Sequence, residues 1–337
     1  IAPSVPGTTV PVFAVLQTDG DALRDFGQTN PASATATIPL QTAPIANTVD
    51  ALGSFSSRGP AGTYDLLKPD VTAPGVSILA AYAGTALTGS ENLVEIISGT
   101  SMASPHQAGA ATLIRQARPT WTAMEVKSAL ALTATSQVFL EDQVSLANPF
   151  ARGSGRIRVD RAINAGLVLD ETGTNFTAAN PANGGKPSSL NIASLANRSC
   201  FTSCTFTRTF TSKRAATSTW RFDLQGLSGT VTPASAQIAA GGTQTVTVTI
   251  NTTAVAADGN ANFGNLMIRE ETSPGVFDNN ATLNAPIYVA VQPPVISVPS
   301  TLSVSLASTK LATAEFDVTN IGGRRSITPF RAVERAA

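Results

Sequence analysis

Residues 97–109 read ISGTSMASPHQAG, and the way that string begins and ends decides the fold. The apolar run from Leu93 to Ile97 predicts a short strand. Gly99 supplies a turn, and from Ala103 onward Ala108, Ala111, Thr112 and Ile114 recur at helical spacing, with small side chains suited to close packing on a sheet. A strand that turns directly into a helix leaves Ser101 at the helix N-terminus. The first N–H groups of a helix have no internal partner, and the helix dipole favours negative charge beside them. An oxyanion forming next to Ser101 would therefore be stabilised, which suits a nucleophilic serine. Pro105 is expected in the first turn, where its missing N–H costs little.

Working outward, Thr122 to Glu125 (TAME) fits a capping box, and Trp121 with Val126 fits the hydrophobic staple across it. Val126, Leu130 and Thr133 then form the predicted buried stripe. Residues 153–170, GSGRIRVDRAINAGLVLD, predict a glycine-rich turn and a closing helix ending at Gly166. Upstream, 67–84 reads LKPDVTAPGVSILAAYAG: Pro69, Pro74 and Gly75 force an irregular path, and Val76 to Ala81 should return to a short buried strand. Further back, Val10 to Val15 predict a strand, Thr18 to Gly20 a turn with Thr18 and Asp19 as caps, and Leu23 and Phe26 one face of a short helix. Residues 31–50 suit an exposed strand and linker.

Beyond Gly173 the texture changes. Threonine alternates with apolar residues in CTFTRTFTS (204–212), TQTVTVTI (243–250) and APIYVAVQ (285–292), separated by Gly, Asn and Pro clusters. The pattern predicts no helices after Gly173 and a β-sandwich over about 185–292. A proline-rich joint from Pro293 leads to what reads as the start of a further β domain, cut off at residue 337. The fold class expected is α/β followed by all-β sandwich.

GTSMASPH and the alanine-rich helix after it resemble the serine motif of the subtilisin-like serine proteases, the subtilases. FSSRGP (55–60) and KPDVTAPG (68–75) resemble blocks that precede the family's catalytic serine. Residues 1–30 resemble the end of the protease-associated domain inserted in large subtilases, 31–172 the C-terminal part of the catalytic domain, and 185–292 the fibronectin-III-like domain that follows it. The resemblance implies a secreted serine endopeptidase acting on polypeptides, with Ser101 as nucleophile and Thr100 supporting the oxyanion. Gly99, Pro105 and His106 are then structural, as are Ser57, Arg58, Asp70 and Pro74.

A serine nucleophile needs a base, and the chain has one histidine. His106 follows Ser101 by five residues on the same helix, about 140° round the axis at ~100° per residue, so it cannot face it. Subtilases order their triad Asp, His, Ser, with the oxyanion asparagine also ahead of the serine. No DSG or HGTH string occurs here, so those residues are expected upstream, in a longer precursor, and the segment alone should be inactive. GTSMA also approximates the GxSxG elbow of α/β-hydrolases, but that fold needs a histidine downstream of the serine, and none follows His106. A non-catalytic scaffold carrying β-sandwich modules is the alternative from another class.

Lysine plus arginine and aspartate plus glutamate are equal at 22, which removes any electrostatic case for nucleic acid or an anionic membrane. No apolar run reaches the roughly 20 residues of a membrane span. Cys200 and Cys204 have no histidine or further cysteine to complete a metal site, so a local disulfide is preferred over free thiols, which implies an oxidising compartment. No organic cofactor is expected. Calcium is frequent in the family, but no loop here has the acidic spacing that would place it.

Overall fold

The computed structural model describes residues 17–35, 48–82, 94–292, 296–297 and 319–320. The predicted strand at Val10 to Val15 and most of the final β segment lie outside them. The chain divides into two compact units, Ile1–Val49 with Gly75–Met102, and Asp50–Pro74 with Ala103–Ala337.

In the first unit, α1 spans Gln17–Thr29. Thr18 to Gly20 are helical rather than a turn with caps, because one glycine costs a helix only about 1 kcal/mol. Leu23 and Phe26 are exposed on it. Strand β1 (Ile78–Ala81) pairs antiparallel with β2 (Val94–Ile97) in a two-stranded ribbon. The expected burial of Val76 to Ala81 does not hold: Val76 is 51% and Leu79 64% exposed, since a ribbon with a single neighbour has little to bury against. Helix α2, Thr100–Ala117, begins at this unit's last residues.

The second unit opens on backbone packed directly against backbone. Thr72 N–H donates to Gly155 O, Ile157 N–H to Thr72 O, and Ser154 N–H to Asp70 O, while Thr135 and Arg156 exchange a reciprocal pair. Gly153 (φ 61°) and Gly155 (φ 127°) are required here twice over. Both are in the left-handed region, and a Cβ on either would collide with the Pro69, Asp70 or Thr135 carbonyls.

Helix α3, Ala123–Leu132, carries the capping box in full: Thr122 Oγ1 accepts from Glu125 N–H (3.0 Å), and Glu125 Oε2 accepts from Thr122 N–H (3.1 Å). Trp121, Val126, Leu130 and Thr133 are all buried, as expected. On α2 the buried residues are Ala110 and Ile114, and Ala111 is half-buried against the same core; Ile114 and Ala111 thus face inward as predicted, while Ala108 and Thr112 face outward. Short helices follow, α4 at Pro149–Arg152 and α5 at Val159–Ala162. The closing helix is thus a single turn. The chain continues as β3, Leu167–Leu169, whose Leu169 N–H donates to the buried Ser128 Oγ of α3 at 2.9 Å. Ala110, Ile114, Trp121, Val126, Ala129 and Leu130 share one core with Ile157, Ala162 and Val168.

The stretch after residue 172 is not free of helix: Thr172 caps α6, Gly173–Ala178. A threonine preceding Gly-Thr-Asn supplies the cap, a local signal that the strand-rich texture around it hides. The strands then follow in order: β4 (Leu195–Asn197), β5 (Ser203–Ser212), β6 (Ser218–Gln225), β7 (Gly229–Thr232), β8 (Ser235–Ile238), β9 (Thr243–Asn251), β10 (Asn262–Ser273), β11 (Val276–Phe277) and β12 (Leu283–Val289). One sheet runs β4-β12-β10-β6-β8 with β11 beside β10; the other runs β3-β5-β9-β7. On β5, Cys204, Phe206, Arg208, Phe210 and Ser212 are buried, while the intervening threonines face outward. Buried side chains of both sheets form one cluster, in which Phe210 and Phe222 lie 5.8 Å apart between ring centroids. Because β3 belongs to the second sheet, the helical region and the strands share an edge rather than a linker.

Arg208 is 1% exposed, and its guanidinium donates to the carbonyls of Ile192 (2.8 Å), Ser194 (2.6 Å), Thr207 (2.8 Å) and Ser188 (3.3 Å). Burial pushes its pKa down to about 10, against the opposing charge of Glu171. Burial alone would raise the Glu171 carboxyl, but N–H donors from Asn191, Thr172 and the Asn175 amide, with Arg208 nearby, hold it below its ordinary value. Among the described residues no helix is long and apolar enough to cross a membrane.

Thr122 Oγ1 also donates to Asp170 Oδ1 at 2.7 Å, so this cap ties α3 to the end of β3. We expect Thr122→Ala to lower stability by about 1 to 2 kcal/mol and Thr122→Ser to retain most of it, measured by urea denaturation midpoints.

Candidate active site

Two residues, Ser98 and Gly99, separate the end of β2 from the start of α2. Such a tight turn needs its backbone groups satisfied, and both residues are tied to the loop that enters β1. Gly99 N–H donates to Gly75 O at 2.8 Å, and Ser77 N–H donates to Ser98 Oγ at 2.7 Å. Met102 N–H reaches back to Gly99 O at 3.0 Å. As the first two residues of α2, Thr100 and Ser101 have no carbonyl one turn earlier to receive their N–H groups. Ser101 is exposed. The arrangement offers a solvent-accessible hydroxyl beside N–H donors at the positive end of an 18-residue helix, the chemistry a developing oxyanion requires.

Pro105 is the sixth residue of α2, in its second turn rather than its first. It therefore removes the N–H that would bond the Ser101 carbonyl, a real cost to the helix placed one turn from the serine. His106 follows on the same helix and is exposed. The helical rotation of about 140° carries it away from Ser101.

In the second unit, the loops read as structural are held by charge. Arg58 pairs with Glu141. Asp70 accepts from Lys68 Nζ at 2.5 Å and pairs with Lys127 Nζ of α3 at 3.1 Å. Burial alone would raise the Asp70 carboxyl; Lys127 and Lys68 outweigh it and hold the pKa below its ordinary value. Cys200 and Cys204 are bonded through their sulfurs, with Cα atoms 5.3 Å apart. Among the described residues no group of three or more His, Cys, Asp and Glu side chains forms a metal site.

Residues 3–163 match the sequence profile described as "Subtilase family". Over these residues the chain is similar to the subtilases. Relatives include "Subtilisin-like protease SBT1.6" of Arabidopsis thaliana, 34% identical over 186 residues, which covers 50% of this chain and 24% of the relative. "Subtilisin-like protease SBT1.9" of the same plant is 33% identical over 174 residues, 49% of this chain and 22% of the relative. "CO(2)-response secreted protease", also from Arabidopsis, is 37% identical over 150 residues, 41% of this chain and 20% of the relative. The chain spans about a quarter of the length of the curated relatives it matches.

Within the subtilase segment, sequence reading missed Ser98 and Ser77, which carry no motif signal apart from flanking the two glycine turns. It also missed Lys127 as the partner of Asp70, because 57 positions separate them and only the fold brings α3 over the 68–72 loop.

A carboxyl whose folded pKa is depressed contributes stability above its unfolded value and loses it as pH falls through the folded one. Asp70→Asn should therefore destabilise the protein at pH 7, with the gap to wild type narrowing below about pH 4. Urea denaturation at pH 7 and pH 3 checks this.

Proposed function

We propose that this chain is the nucleophile-bearing C-terminal portion of a secreted subtilisin-like serine endopeptidase. The observation that carries the reading is Ser101 at the start of α2, exposed and beside helix-end N–H groups, inside the residues that match the family. Ser101 Oγ attacks the scissile carbonyl of a polypeptide and gives up its proton to a base. The Ser101 N–H, supported by Thr100, faces the oxyanion of the tetrahedral intermediate. Collapse returns the proton to the leaving amine, and water then hydrolyses the acyl-enzyme by the same steps in reverse.

The base is assigned to subtilase sequence outside residues 1–337. Two observations support this: the chain's one histidine sits on the serine's own helix and is turned away, and the curated relatives are several times longer than the matched region. The orienting carboxylate and the side-chain oxyanion donor are assigned there too. The two sheets that share one apolar cluster support reading 185–292 as a fibronectin-III-like sandwich, and residues 1–30 as the end of a protease-associated domain follow from the sequence resemblance alone. Secretion is supported by the Cys200–Cys204 bond and by a relative named as a secreted protease. Acyl transfer by serine requires no organic cofactor.

In the natural full-length protein, Ser101→Ala should lower kcat by about a million-fold with folding unchanged. His106→Ala should cost about 1 to 3 kcal/mol of stability and leave turnover intact in folded molecules. Residues 1–337 alone should not react with a phosphonofluoridate serine probe. Rapid labelling of Ser101 in the isolated segment would overturn the assignment of the base. Full turnover by Ser101→Ala would remove Ser101 as the nucleophile, and absence of turnover in the full-length wild type would leave the scaffold reading.

A further inference from the structure

The turn that presents Ser101 is only as rigid as what holds Ser98 and Gly99. Gly99 is held through its backbone, since its N–H donates to Gly75 O at 2.8 Å, a bond that needs no side chain at either position. Ser98 is held through its side chain: Ser98 Oγ accepts the Ser77 N–H at 2.7 Å. These two bonds run in opposite directions between the same two loops, residues 75–77 and 98–99, and so clamp them at two points.

Ser77 shows that the clamp works against a local preference. Its φ is 53°, a left-handed conformation that a serine adopts at a cost and that glycine would take freely. The next residue begins β1, whose Ile78 stands opposite Ile97 of β2, the residue immediately before Ser98. The Ser77 N–H therefore points across the ribbon's end at the Ser98 hydroxyl that receives it. A hydroxyl at position 98 gives that N–H an acceptor while keeping the 98–99 turn short. Alanine would leave the N–H to water and leave the ribbon's end held by the Gly99 bond alone.

We propose that Ser98 is a positioning residue for the Ser101 nucleophile: by accepting the Ser77 N–H it locks the β2-to-α2 turn, fixing where Ser101 Oγ and the first helix N–H groups point. This rests on Ser101 acting as the nucleophile. Ser98 itself touches no reacting atom; its hydroxyl proton remains free to turn elsewhere while a lone pair takes the bond. The effect should fall on the step in which the serine attacks, because geometry at the nucleophile is what the lock supplies, and small displacements of a reacting group are costly in rate.

The test uses the natural full-length protein with a chromogenic ester substrate and an active-site titrant. Ser98→Ala should slow acylation by about 10- to 100-fold, with KM changed less than about twofold and with near-wild-type folding by circular dichroism. Ser98→Thr, which keeps the acceptor oxygen, should restore acylation to within about threefold of wild type. Ser77→Gly, which relieves the left-handed strain but keeps the N–H donor, should also leave acylation near wild type. Wild-type acylation by Ser98→Ala would overturn the proposal. So would a loss that Ser98→Thr fails to rescue, or one accounted for by unfolded molecules in the titration. If Ser101→Ala acylates as fast as wild type, the nucleophile assignment fails instead, which separates the two failures.

Discussion

No Cβ fits at Gly153 or Gly155, where the backbone crosses the Pro69, Asp70 and Thr135 carbonyls, and the second unit is assembled around that crossing. Three chain segments meet there through main-chain hydrogen bonds, which fix their register. Asp70, at the crossing, then reaches Lys127 on α3, and Arg156 pairs with Asp50 at 2.5 Å. The two glycines are the reason the crossing exists. Their lack of Cβ atoms allows both the left-handed backbone and the contact distance, and neither condition alone would permit the packing.

From this crossing the chain passes through α5 into β3, and β3 serves two layers at once. Its Val168 packs with the helices, its Leu167 and Leu169 with the strands, and its Leu169 N–H is bound by Ser128 of α3. Glu125 extends the same joint: its carboxylate closes the α3 capping box with one oxygen and pairs with Lys213 Nζ at 2.6 Å with the other. Such a joint makes the sheets a continuation of the helical region's core, since removing β3 would expose apolar surface on both sides. Arg208 works in the same way on the strands' side, trading its desolvation for four carbonyls of the irregular 188–194 stretch and its own neighbour.

The serine lies in a different physical setting. Among the described residues around Ser101 there is little apolar burial, and its position depends on turn geometry and two hydrogen bonds between loops. That setting suits the nucleophile role proposed for Ser101, because exposure would give access while the helix end would supply directed N–H donors without reorganisation. Pro105 adds to this by leaving the Ser101 carbonyl without its helical partner.

The sequence by itself determined the strand, turn and helix around Ser101, the capping box on α3 and the alternation of the long strands. These are local: each depends on residues within a turn or two, where spacing and side-chain chemistry already limit the backbone. The subtilase resemblance was legible for the same reason, being carried by contiguous strings that the family comparison bears out over residues 3–163. Only the tertiary structure decided that Ala110 rather than Ala108 or Thr112 joins Ile114 on the buried face of α2, that Val76 to Ala81 is exposed, that β3 joins the strands, and that Ser98, Lys127, Glu171 and Arg208 have the partners they do. Those outcomes depend on segments 20 to 150 positions apart meeting through non-directional burial and long-range hydrogen bonds, and no short-range pattern encodes which segments meet.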